Sequence, residues 1–339
     1  MSVTDGAAVR FVGPNEVEVV DHGPAEPGAG EVLVETHVSA ISAGTELLVY
    51  RGEVDGETAA DAELPALEGT LSYPLRYGYA AVGEVTAVGR RVDPGWRGRT
   101  VFGFNPHESA FTARPEELLA VPTDIDPERA TFLANTETAV NFLLDAAPRI
   151  GERVAVFGQG VVGLLTTRLL AEAPLERLVT VEPDPKRRAL SATMGADSVV
   201  DPGECDPVEA VREATGGADV AIEVSGRPST LEAAVEATRY GGRVVVGSWY
   251  GTKREPLALG DHFHRNRIEI ESSQVSTIAP EIRGRWNRQR RRELAWSRLA
   301  EIDVESLVTH RLPIEEAPDA YRLLAEEPPG AVQVLLTYP

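Results

Sequence analysis

The residues whose types and spacing most plainly suit chemistry are Gly158-Gln159-Gly160-Val161-Val162-Gly163. They follow the apolar run 154–157 and open a helix-forming stretch, 161–171. In that setting Gly158 permits a tight turn, Gly160 lets a pyrophosphate approach the backbone, and Gly163 lets the helix lie close to its strand. Free N–H groups and the positive dipole end at the helix start complete an anion site. The chain has 31 glycines, so the spacing alone means little, and the strand before it and helix after it carry the argument. A second apolar run, 178–181, ends in Glu182, whose carboxylate suits the ribose hydroxyls of adenosine and repels a 2′-phosphate. NAD is therefore expected. Lys186, Arg187 and Arg188 follow one turn later and leave NADP open; Arg187 is kept as a cofactor candidate and Arg188 is read as a solvated helix face. Val224-Ser225-Gly226 and Gly247-Ser248 close later apolar runs, where the nicotinamide half belongs. The competing reading makes them ordinary turns.

His262 and His264 alternate in Asp261-His262-Phe263-His264-Arg265, so an extended chain turns both imidazoles to one side. His262 is nominated as a substrate-facing base; a metal reading lacks an evident fourth ligand. His22, His37, His107 and His310 stand alone and receive no role. The basic run 283–292 is read as an exposed helix paired with acidic surface, the alternative being an arginine anchor for a substrate anion with Trp286 as a stacking face. The single cysteine, Cys205, rules out an internal disulfide and a thiolate cluster.

These residues need elements to hold them. A chain of 339 residues favours two lobes. Its first part alternates β-formers between Pro and Gly turns and predicts a barrel-like β-rich lobe. From residue 153 apolar strands alternate with helices, the pattern of a parallel sheet covered on both faces. The tail then returns to the first lobe. The expected division is 1–134, 135–275 and 276–339, in an α/β fold.

No apolar run approaches the ~20 residues of a membrane span, and residues 1–11 lack a basic stretch followed by an apolar one. A cytoplasmic protein is expected. The formal net charge of −20 argues against nucleic acid and anionic membrane as partners, leaving a small-molecule substrate. Lys186 and Lys253 are the only lysines beside 53 Asp and Glu, an acidic, lysine-poor surface that suits high cytoplasmic salt. A GC-rich genome accounts for the missing lysines but not for the acidity.

Gly30-Glu31-Val32-Leu33-Val34, Tyr77-Gly78-Tyr79-Ala80-Ala81-Val82-Gly83-Glu84-Val85 and Gly241-Gly242-Arg243-Val244-Val245-Val246-Gly247 resemble landmarks of the medium-chain dehydrogenases/reductases. The resemblance spans essentially the whole chain. It implies a GroES-like catalytic domain wrapped around a Rossmann doubly wound domain, with substrate in the cleft between them. Zinc-dependent members carry Cys-Gly-Thr/Ser-Asp, Gly-His-Glu, and a Cys or Glu at the domain junction. Here those positions fall on Ala43-Gly44-Thr45-Glu46, on Gly78-Tyr79-Ala80 and near Ala134, so no metal site is expected. The four-cysteine structural lobe is also missing, since 101–113 is a short connection.

Residues 41–52 and 73–79 look most like the zinc-less bacteriochlorophyllide hydroxyethyl dehydrogenase branch, which oxidises a secondary alcohol to a ketone. By that resemblance Thr45 keeps the hydroxyl that contacts substrate oxygen, as donor or proton relay, and Tyr79 puts a phenol in place of the ligand histidine, as general acid or base. Against these stand a capping role for Thr45 and a space-filling role for Tyr79. Glu46 is expected to pair with a nearby arginine and support its loop. The reading is a zinc-independent NAD(P)-dependent alcohol/ketone oxidoreductase. Its rivals are a metal-free reductase of enones or quinones and a non-catalytic NAD(P)-binding protein. Family members commonly pair through the strand matching 267–272, so a homodimer is expected.

Overall fold

A computed structural model describes residues 6–23, 26–61, 64–326 and 329–339. Contacts divide the chain into two units, Met1–Ala134 with Asp303–Pro339, and Asn135–Ile302. In the first, Asn15 takes the left-handed conformation, with φ of 60°, at the turn joining β1 (Gly6–Gly13) to β2 (Glu16–His22), an antiparallel pair. There follow β3 (Val32–Ala40), α1 (Ala43–Tyr50), β4 (Ala81–Val88), β5 (Thr100–Gly103), β6 (Ala110–Ala113), β7 (Leu118–Ala120) and the short α2 (Pro127–Ala130).

The next helix, α3 (Leu133–Ala146), leads into the second unit. Strand and helix then alternate through β8 (Arg153–Phe157), α4 (Val161–Leu170), β9 (Arg177–Val181), α5 (Pro185–Thr193), β10 (Ser198–Val200), α6 (Pro207–Thr215), β11 (Ala218–Glu223), α7 (Pro228–Ala237) and β12 (Thr238–Val246). The unit closes with α8 (His262–Arg265), β13 (Glu269–Ser272) and α9 (Arg288–Glu301). The tail supplies β14 (Val308–Pro313), α10 (Ala317–Ala325) and β15 (Gln333–Thr337) to the first unit.

The first unit's larger sheet runs β14-β15-β3-β4-β5-β7, with β6 also paired to β3. Alternation along β3 buries Val32, Val34 and Val38 and leaves Glu35 and His37 outward. The tail is part of this core: Tyr321 lies edge-on to Phe11 at 5.0 Å and stacks on Tyr50 at 5.7 Å. Each such apolar side chain contributes roughly 1.5–3 kcal/mol when buried.

The second unit is a six-stranded parallel sheet in the order β10-β9-β8-β11-β12-β13. Ala155 and Phe157 of β8 join one apolar cluster while Val154 and Val156 join another, as a strand buried on both faces requires. Chain order reverses between β8 and β11, and in open sheets of this kind ligands bind beyond the carboxyl ends of the strands at that point.

The expected boundary at 276 is wrong, because the second unit continues to Ile302. The second half of the basic run, from Arg288, opens α9, and Arg291, only 2% exposed, anchors it inward. Its guanidinium donates to Glu137 Oε1 at 2.9 Å and to Asn141 Oδ1 at 2.6 Å on α3, and also to the Val275 and Thr277 carbonyls. Among the described residues no helix is long and apolar enough to cross a membrane.

Candidate functional site

Packing demands two of the three glycines after β8. Gly158 has φ of +99°, and a Cβ there stands 2.7 Å from Ser225 Cα; a Cβ on Gly163 stands 2.1 Å from the Gly158 carbonyl oxygen. Gly160 differs, since a Cβ on it meets nothing within 4 Å. It is the N-cap of α4, with no side chain capping that helix end, and Val161 and Val162 form its first turn. Open space before uncapped amides is the cradle a pyrophosphate needs. The buried Gln159 side chain turns inward to the Gly158 carbonyl and Thr167, so Gln159 faces the turn through its backbone.

Glu182 lies against the glycine turn. Its Oε2 accepts from Gln159 N at 2.7 Å and its Oε1 from Asp184 N at 3.0 Å, which fixes the carboxylate while leaving acceptor capacity on both oxygens. Arg187 lies in the first turn of α5, where its amide closes the Asp184 cap. Arg188 binds the Glu182 and Pro183 carbonyls and Asp201, a structural employment.

The structure also brings together Val224-Ser225-Gly226 and Gly247-Ser248: Gly226 N donates to Ser248 Oγ at 2.9 Å. Beneath them sits Glu223, which no sequence signal singled out. It accepts from Ser225 N at 2.8 Å and from the Tyr250 hydroxyl, so one buried carboxylate fastens both strand-end loops. Burial, and then Glu223 itself, push the Tyr250 phenol far up.

His262 is not a substrate-facing base. Its segment is the helix α8, not a strand, and its Nε2 meets the Thr238 carbonyl at 2.9 Å. Thr238 begins β12, so His262 lies at the opposite end of the sheet from the glycine turn. Its Nδ1 is within 3.0 Å of Asn266 Nδ2, leaving the ring a structural tie.

In the first unit the Tyr79 hydroxyl donates to Ser42 Oγ at 2.5 Å and lies 3.1 Å from Thr45 Oγ1. All three side chains are partly accessible. Burial pushes the Tyr79 phenol up, hydrogen bonds to Ser42 and Thr45 pull it down, and the Glu46 charge raises it again. Gly78, with φ of +123°, sets up this placement: a Cβ there stands 2.6 Å from the His107 ring. Among the described residues Glu46 pairs with no arginine, contrary to expectation. It is fully buried, accepts from Ser42 N at 2.6 Å and from the Tyr321 hydroxyl, and lies 2.9 Å from His107 Nε2. Sequence reasoning missed Ser42, although it adjoins the quoted motif, and gave His107 no role, because its partner lies 61 positions away.

These donors do not fit a catalytic zinc. Ala43 and Ala134 offer no ligand atom, Tyr79 is engaged with two hydroxyls, and both His107 nitrogens are engaged by Glu46 and Ser39. Among the described residues no group of three or more His, Cys, Asp or Glu is gathered to hold a metal.

A family model described as zinc-binding dehydrogenase matches residues 161–289, a span that excludes positions 43, 79 and 134. D-guloside 3-dehydrogenase of Escherichia coli (strain K12) is 25% identical over 334 residues, covering 93% of this chain and 95% of that protein. (R,R)-butanediol dehydrogenase of Bacillus subtilis (strain 168) is 27% identical over 291 residues, covering 77% and 80%. The crystal structure of 2R,3R-butanediol dehydrogenase from Bacillus subtilis superposes with a TM-score of 0.80 at 21% identity, over 98% of this chain and 99% of that one. With its GroES-like first unit and Rossmann second unit, the chain has the fold of the medium-chain dehydrogenases/reductases and is similar to these dehydrogenases over most of its length.

Proposed function

We propose that this enzyme interconverts a secondary alcohol and a ketone, with NAD as the favoured cofactor and without a catalytic zinc. The observation that carries the reading is the Tyr79–Ser42–Thr45 hydroxyl cluster, in which Tyr79 falls, by resemblance, at the position of a ligand histidine in zinc-dependent family members. Relatives named for a guloside and a butanediol support a hydroxylated substrate. Glu182, fixed by two backbone amides, supports NAD over NADP.

Bound nicotinamide supplies a hydride acceptor, or donor, at its C4. The residues of this chain do the rest. Amides of the glycine turn hold the pyrophosphate, and Glu182 accepts from the ribose. Tyr79, with Ser42 and Thr45, holds the substrate oxygen by hydrogen bonds and takes its proton during oxidation, or returns it during reduction.

The test follows NADH and NADPH absorbance over secondary alcohols, ketones and enones, with and without EDTA. Turnover of alcohols and ketones, faster with NAD and indifferent to chelator, is expected. Activity on enones alone, or EDTA inhibition reversed by zinc, overturns the reading. Tight cofactor binding with no turnover on any substrate favours a non-catalytic role.

A further inference from the structure

Behind the hydroxyl cluster stands the buried carboxyl group of Glu46. Its Oε1 accepts from Ser42 N and its Oε2 from the Tyr321 hydroxyl, and His107 Nε2 lies 2.9 Å from Oε2, all away from water. The array continues inward: His107 Nδ1 lies 2.7 Å from Ser39 Oγ, which lies 2.7 Å from the Tyr338 hydroxyl. The fully buried His107 is therefore fixed at both nitrogens.

We infer that Glu46 is a positioning residue for the proposed reaction: through the Ser42 amide it orients Ser42 Oγ toward the Tyr79 hydroxyl, and it sets a buried negative charge beside the substrate oxygen. This rests on the reading of Tyr79, Ser42 and Thr45 as the proton-handling groups. The groups facing Tyr79 are Tyr77, edge-on at 6.4 Å, together with Ser42, Thr45 and Glu46. Those facing Glu46 are His107, Tyr321, Tyr77 and Tyr338, with Asp61 acting on Tyr77 and Glu108 and Glu315 on Tyr338. Of these, His107 alone is able to carry positive charge.

The chemistry follows from the sign. A metal stabilises a free alkoxide; a carboxylate opposes one. Proton and hydride must therefore move together. A bound nicotinamide would take the carbinol hydrogen with its electron pair, and the O–H proton would pass to the Tyr79 oxygen. The Tyr79 proton passes to Ser42, and one proton leaves from Ser42 to solvent. Reduction runs the same path backwards.

The experiment reads the Tyr79 phenol directly, as the tyrosinate absorbance of the wild type minus that of Tyr79→Phe, and repeats it in Glu46→Gln and Glu46→Asp backgrounds. In the wild type Tyr79 should ionise above about 10, the value of a free phenol. Glu46→Gln should lower that ionisation by about one pH unit or more, and Glu46→Asp should restore it. The high-pH limb of kcat/KM for ketone reduction should move with it. In the wild type, D2O and deuterium at the carbinol carbon should slow the same step. An unmoved titration in Glu46→Gln, or no solvent isotope effect on the hydride step, overturns the inference. Should Glu46→Gln not fold, the wild type still decides, because ionisation of Tyr79 at or below about 10 is equally fatal. A Tyr79→Phe enzyme with full turnover instead overturns the reaction reading, while the titration still reports what Glu46 does to the phenol.

Discussion

At residue scale the site divides by what a sequence can carry. Thr45 and Tyr79 were visible through resemblance to zinc-dependent motifs, and both lie in one hydrogen-bonded cluster. Ser42 and His107 were not, because their meaning comes from partners: a phenol 37 positions from Ser42 and a carboxylate 61 positions from His107. His262 failed for a local reason. Its alternation with His264 implies a shared face only in a strand, and residues two apart on a helix point away from each other. Removing the phenol oxygen tests the surviving nominations. Tyr79→Phe should lower kcat by about 10²-fold or more, in the range of general acid–base contributions, and Thr45→Ala by about tenfold as a hydrogen-bond partner. Cofactor Kd, followed by NADH fluorescence, should stay near the wild-type value in both. Wild-type kcat in both variants removes the cluster from the chemistry.

At the scale of elements the β8–turn–α4 unit was legible because three things coincided: an apolar strand, the glycine spacing and a helix. The glycines have separable duties, which the sequence could not apportion. Gly163→Ala drives a methyl group into the Gly158 carbonyl and should cost about 1–3 kcal/mol of stability, as overpacking does, visible as a lower Tm without cofactor. Gly160→Ala meets no atom of the protein. Its Tm should match the wild type while its cofactor Kd rises at least about tenfold, equal to the ~1.4 kcal/mol expected of a displaced phosphate contact. Equal cofactor affinity in Gly160→Ala would place the pyrophosphate elsewhere. What the sequence concealed was the buried anchoring of α9. Its composition reads as a solvated basic face, yet Arg291 is buried against Glu137, a pairing between residues 154 positions apart that charge counting cannot see.

For the whole molecule, length suggested two units and strand texture distinguished them. The boundary at Ile302 required the structure, since the change of composition near 276 reflects a switch from sheet to helix within one unit. We propose that the charge of −20 adapts the protein to concentrated salt. Like charges spread over a surface repel until the Debye length falls, from about 10 Å at 0.1 M to about 3 Å at 1 M. The apparent Tm should therefore climb as KCl is raised from millimolar to molar concentrations, with most of the gain before repulsion is fully screened. A Tm that stays level or falls over that range contradicts the proposal.

The placement of β15 between β14 and β3 bears on how the chain comes into being. The second unit is one uninterrupted stretch and has all its strands once the ribosome has released Ile302. The first unit is split, and its sheet stays unfinished until β15 emerges, followed by Tyr338, which joins Tyr321 in the buried array around Glu46. Domains generally fold as units in order of synthesis. A nascent chain can therefore complete the proposed dinucleotide site before the proposed proton-handling cluster.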